Sequence, residues 1–199
     1  MSGTAQTPAF HSPDADAAEA ALFDDTLVCD AILPATFVAT TAGGLRLAQA
    51  ETLLKGLAQI EDLRSEEGTT EEKRGELPLL AQRMDAKLDL VLVLLGRLVR
   101  QSSGPLPPHA LRWSRRGVRL SLAEAPATGT EGLLRIQPAD WLPDDLELPA
   151  TVVASVAQGI GSHAVWLRFP EFPQGLDEAL DRHLFRMHRR QIADARGRR

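Results

Sequence analysis

The residues best suited to chemistry lie in one short run, Trp113-Ser114-Arg115-Arg116-Gly117-Val118-Arg119-Leu120. A serine, two residues and a glycine, then alternating apolar and polar positions, describe a strand, a tight turn and a second strand. The serine hydroxyl can donate to a phosphate oxygen, and glycine lets a backbone amide approach an anion closely. Arg112, Arg115 and Arg116 add planar donors for phosphate or purine edges. The candidate ligand-binding set is therefore Arg112, Ser114, Arg115, Arg116 and Gly117. The same spacing also fits a plain β-turn in which Ser114 bonds its own backbone. Spacing does not separate the two.

Elsewhere the chemistry is sparse. The five histidines (11, 109, 163, 183, 188) are scattered over different segments. His183 and His188 are five apart, not the four that sets two ligands on one helix face. Cys29 stands in a strand-like run and reads as packing. Asp144-Asp145 follows Pro143 and reads as a turn, and Gly43-Gly44 lacks the lysine and later glycine of a phosphate loop. No catalytic constellation emerges, so the expectation is a protein that is not an enzyme and holds no metal.

The charges are segregated. The chain has 199 residues and a formal net charge of -5, with 44% hydrophobic and 25% charged residues. These are ordinary values for a folded protein. Residues 1–30 hold six acids and no Lys or Arg, whereas 97–119 hold six arginines and no acid. From Arg182 to Arg199 there are seven arginines against Asp194. Either basic stretch could hold an anion, but the acidic total argues against a nucleic-acid binder. The single cysteine and the acidic, cation-free first 20 residues fit a cytoplasmic protein without a secretory signal. The most apolar run, Leu90–Leu95, is far short of the roughly 20 residues needed to cross a bilayer.

Several elements must position these groups. Residues 1–21 lack periodicity and are expected as a flexible leader. Residues 22–42, with Leu27, Val28, Ile32, Phe37 and Val38 around Pro34, read as one or two strands. The segment 43–103 reads as helical, first from about Leu45 to Glu66 with Leu53, Leu57, Ile60 and Leu63 on one stripe. A second helix follows, opened by Pro78 and ended by Gly104-Pro105. Its Met84, Leu88, Val91, Leu95 and Leu98 are spaced 4-3-4-3, and the register carried backwards meets Leu77. Whether 64–76 is loop or helix stays open. With Leu88 and Leu95 at a and Met84, Val91 and Leu98 at d, leucine at a beside a β-branched residue at d tends towards bundles of more than two strands. Self-association through these six residues is expected, the alternative being a helix buried in its own domain.

The remainder, 104–192, has short strands at Ala110–Ser114, Val118–Leu122, Leu133–Gln137, Leu148–Ala157 and His163–Phe169 with glycines between them. A small barrel or sandwich accommodates that pattern. An amphipathic helix, Leu176–Ile192, then closes the domain before a basic tail at 193–199. The fold class is α+β.

Ser114-x-x-Gly117 followed by a strand, glycine-separated strands and a closing helix with Phe185 and Arg189-Arg190 resembles the PilZ domain over roughly 105–192. A strand Phe23–Asp30 with Leu33-Pro34 and Phe37, followed by a long heptad helix before the barrel, resembles the atypical, tetrameric PilZ subfamily. That resemblance implies a six-stranded barrel, a helical segment bundling four copies, and a role in cyclic di-GMP-linked control of motility or virulence. It further implies an unidentified signalling or pilus-related protein partner. Typical members bind cyclic di-GMP through an Arg-x-x-x-Arg before the barrel and an (Asp/Asn)-x-Ser-x-x-Gly on it. Here Arg112 stands at the acidic or amide position and cannot accept a hydrogen bond. Arg97 and Arg100, near the place of the first motif, are three apart. These departures weigh against direct nucleotide binding. Two alternatives stand beside that reading: a true cyclic di-GMP receptor using the arginine cluster, and nucleic-acid binding by the Arg-rich tail.

Overall fold

The computed structural model describes residues 12–40, 45–67, 84, 88, 106–139, 142 and 144–197. In chain order these form α1 (Pro13–Phe23), β1 (Cys29–Ala39), α2 (Leu45–Glu67), β2 (Pro108–Ser114) and β3 (Gly117–Leu122). They continue with β4 (Glu131–Ile136), β5 (Leu146–Gly159), β6 (Ser162–Arg168) and α3 (Gln174–Gly197). The six strands close an antiparallel barrel in the order β1-β2-β3-β6-β5-β4. The expected α+β architecture is thus present.

Closure depends on β1 serving two neighbours. Cys29 to Pro34 pair with β2, and Ala35 to Ala39 pair with β4. Pro34 sits at the switch, where a residue without an N–H costs the ladder least. Its carbonyl still accepts from the Gln137 amide at 2.9 Å.

Alternation sorts side chains between two cores. The larger joins Trp113, Leu134, Leu148 and Leu167 of the barrel to Ala50 and Leu54 of α2 and to Leu176, Leu180 and Leu184 of α3. The smaller lies under α1, whose Ala15, Ala18, Leu22 and Phe23 pack on Ala154, Ala164 and Trp166. A register shift between Val152 and Ala154 moves β5 from the first core to the second. β6 contributes to both, which is why Ala164, Val165, Trp166 and Leu167 are all buried. Burying an indole such as Trp166 removes roughly 150–250 Å² from water, worth on the order of 4 kcal/mol.

Several expectations need correction. Residues 13–23 are not leader but helix: Pro13 begins it, and Asp14 and Asp16 sit favourably in its first turn. The following turn, where Asp25 has φ 53°, delays the first strand until Cys29, so Phe23 belongs to α1. The buried stripe of α2 is Ala50, Leu54 and Leu57, with Leu53 and Ile60 only half-buried. α3 runs to Gly197 and takes in most of the stretch read as a tail. Of the heptad seam, Met84 and Leu88 are helical and exposed in the single chain, at 58% and 59%. Leu77, Val91, Leu95 and Leu98 lie outside the described residues.

Candidate functional site

The turn between β2 and β3 is where the candidate residues meet. Ser114 and Gly117 face each other across it, with Arg115 and Arg116 at its tip. Gly117 is required there by close approach: a Cβ would lie 2.2 Å from the Leu167 carbonyl oxygen and 2.9 Å from Leu22 Cδ2.

The end of α1 lies over this turn and occupies its donors. Ser114 is fully buried, and its hydroxyl donates to the Leu22 carbonyl at 2.6 Å. The same oxygen accepts from the Arg116 amide at 3.1 Å, the local turn bond that the spacing allowed. Arg116 Nη1 donates to the carbonyls of Ala21 and Asp24 at 3.2 and 2.9 Å. A cation on the last carbonyls of a helix also meets the negative end of its dipole.

Glu19 makes the second anchor. Its carboxylate accepts from Arg119 at 2.8 Å and from the Trp166 indole N–H at 2.7 Å. Arg112 Nε lies 3.5 Å from the same carboxylate without hydrogen-bond geometry, and its guanidinium sits 5.3 Å from the centre of the Phe23 ring. Arg115 turns the other way, towards Asp181 at 3.5 Å and Asp177 at 4.0 Å on α3. Each candidate arginine of the turn therefore faces an acid or a carbonyl of this chain.

Two further groups sit behind the turn. The His183 ring packs 5.7 Å from Trp113, and burial, reinforced by Arg190 and Arg186, pushes its pKa down to about 4. It is a neutral imidazole at neutral pH. Cys29 donates its S–H to the Leu184 carbonyl at 3.1 Å, and burial followed by Asp30 raises the thiol to about 11. A thiol so protonated packs and does not react. Among the described residues no three His, Cys, Asp or Glu side chains cluster as metal ligands. No described helix is long and apolar enough to cross a membrane.

Glu19 and the α1 carbonyls are the partners that sequence reasoning missed. The available signal was charge: an N-terminal stretch with six acids and no cation, in the same chain as 23 residues with six arginines and no acid.

Comparison with known proteins agrees with this architecture. The family model for the atypical PilZ domain, described as a cyclic di-GMP receptor, matches residues 54–198. The chain belongs to the atypical PilZ family. A solved structure of a pathogenic protein from Xanthomonas campestris, a tetrameric PilZ domain self-assembled via an unusual helical bundle, is 55% identical to this chain. The match covers 90% of this atypical PilZ chain and 97% of that one, with a TM-score of 0.76. YcgR from Escherichia coli, solved with cyclic di-GMP, is 19% identical over 46% of this chain and 40% of its own, at a TM-score of 0.39. The Bacillus subtilis inhibitor of motility is 22% identical over 44% of this chain and 43% of its own, at 0.34. No curated protein matches the chain.

Proposed function

We propose that this atypical PilZ protein is a non-enzymatic, cytoplasmic signalling module in cyclic di-GMP-linked control of motility or virulence. It works through contacts with other proteins and not through nucleotide held at the Ser114–Gly117 turn. The observation that carries this is the docking of α1: Ser114, Arg112 and Arg116 already serve Leu22, Glu19, Ala21 and Asp24. A nucleotide would have to displace a helix that buries Leu22 and Phe23. The arginine at position 112, where typical members carry an acid or amide, points the same way.

Self-assembly is the second part of the proposal. The exposed Met84 and Leu88 belong to a heptad-spaced seam with Leu77, Val91, Leu95 and Leu98, and the Xanthomonas relative is a tetramer built on a helical bundle. A homotetramer through this seam fits both. Leu88→Asp with Leu95→Asp then reduces the native mass to that of one chain, because a buried unpaired carboxylate costs several kcal/mol. An unchanged mass contradicts the seam.

Isothermal titration of the intact protein with cyclic di-GMP at moderate salt tests the signalling reading. No saturable heat is expected. Saturable micromolar binding that Arg115→Ala with Arg116→Ala abolishes would overturn it and make the protein a receptor with an arginine cluster.

A further inference from the structure

The two long faces of α3 are used very differently. Its inner face carries Leu176, Leu180 and Leu184 in the main core. Beside them Arg186 and Arg190 hold the nearly buried Glu61 of α2 at 3.6 and 2.5 Å. On the opposite side, Arg182, Phe185, Arg189, Ile192 and Arg196 recur at intervals of 3, 4, 3 and 4, which lines them up along one face of a helix. All five are exposed, Phe185 at 53% and Ile192 at 41%. Basic and apolar residues alternate along the whole stripe.

The stripe is unpartnered among the described residues. No ion pair or hydrogen bond joins Arg182, Arg189 or Arg196 to a described acid, although the protein is acidic overall. Arg189 lies 6.0 Å from the centre of the Phe185 ring, which sets a cation beside an exposed aromatic. At its N-terminal end the stripe opens into a cavity of about 520 Å³ where Arg115, Arg182 and Phe185 stand beside Leu27 and two acids, Asp25 and Asp181. An exposed aromatic flanked by arginines is the composition that protein interfaces favour.

We infer that this face of α3 is a docking surface for an acidic amphipathic helix of another protein, one that places two apolar residues seven apart between carboxylates. Phe185 and Ile192 lie about 10 Å apart along the helix axis, the spacing of residues seven apart on a facing helix. Charge complementarity with the three arginines selects the acidic partner. A segment of a second copy fits less well: the acid-rich stretch 64–76 of this chain carries no apolar residue to meet Phe185 and Ile192. The inference rests on the proposal that the module acts by protein contacts, and names where.

The test uses the intact protein and a fluorescent 21-residue peptide with leucine every seven residues, glutamates beside it and alanine elsewhere. Anisotropy is expected to show saturable binding. Binding weakens at least about tenfold both in Phe185→Ala with Ile192→Ala and in Arg182→Glu with Arg189→Glu and Arg196→Glu, since each removes central interface contacts. A peptide of the same length and charge with alanine in place of each leucine binds more weakly. Native mass and melting temperature stay at wild-type values, because every altered side chain is exposed. The inference is overturned if wild type does not bind the leucine peptide, or if the variants bind equally. It is overturned too if 1:1 phosphatidylglycerol–phosphatidylcholine vesicles or a 20-base-pair duplex bind more tightly. A changed native mass in the charge-reversed variant assigns the face to a second copy, and also overturns it. A failed peptide with a silent cyclic di-GMP titration sinks only this surface, whereas cyclic di-GMP binding at Arg115 and Arg116 sinks the parent reading.

Discussion

The turn at Ser114–Gly117 and the outer face of α3 are both rich in arginine, and the structure treats them in opposite ways. At the turn, Arg112 and Arg119 meet Glu19, Arg116 meets two carbonyls at the end of α1, and Arg115 meets Asp177 and Asp181. On α3, Arg182, Arg189 and Arg196 are exposed beside Phe185 and Ile192. A cluster of cations thus says nothing of an external ligand until its internal partners are known. The turn carries the more familiar motif and is spent on intramolecular bonds. Arg182, Arg189 and Arg196 of the helix face, by contrast, meet no acid among the described residues.

The largest effect should come from the position where the turn has no room. Gly117→Val places a side chain 2.2 Å from the Leu167 carbonyl and against Leu22. β3 and β6 must then separate, and a loss of about 3–5 kcal/mol by urea unfolding is expected. A loss below ~1 kcal/mol would mean that α1 and β6 give way easily, and the contrast with the α3 face would weaken.

Next comes the anchor of α1. Glu19→Ala removes the carboxylate that accepts from Arg119 and from the Trp166 indole N–H and that faces Arg112. A cost of about 2–3 kcal/mol is expected, as for a partly buried charged hydrogen-bond network. Limited proteolysis should then cut within 13–24 first. If the variant is as stable and as resistant as wild type, α1 is held by its apolar contacts alone.

An effect of similar size, but seen only as pH falls, sharpens the inner side of α3. His183 has its pKa depressed to about 4 by burial and by Arg190 and Arg186, against an ordinary value near 6.5. The unfolded chain therefore binds the extra proton between those values. The neutral ring's contribution is whole above pH 6.5 and fades as pH falls towards 4, by on the order of 3 kcal/mol. His183→Leu should flatten that part of the stability–pH curve measured beside wild type. Parallel curves would show that the ring is not held neutral.

How far the sequence foretold this arrangement depends on how local each signal was. Strands such as Gly117–Leu122 and Ser162–Arg168 were legible to within a residue at each end, because alternation and bounding glycines are local. α2 was legible for the same reason, though its stripe centres on Ala50 and Leu54 and not on Leu53. α1 was not, because Ala15 and Ala18 are too small to mark an apolar face until Trp166 stands beneath them. The two readings of Ser114 could not be separated, because its acceptor, the Leu22 carbonyl, is 92 residues away. The bend that moves Ala154 to the second core comes from a bulge that no periodicity announces. The sheet was written locally, and the fate of its most conspicuous turn was decided by a distant helix.

The most direct test of the central claim is amide hydrogen exchange on the intact protein, with and without excess cyclic di-GMP. With α1 docked, amides of the last two turns of α1 and of Arg116 exchange slowly, and the nucleotide leaves both unchanged. Exchange of 17–24 at the rate of an unstructured peptide, or loss of protection there on adding cyclic di-GMP, would contradict the account.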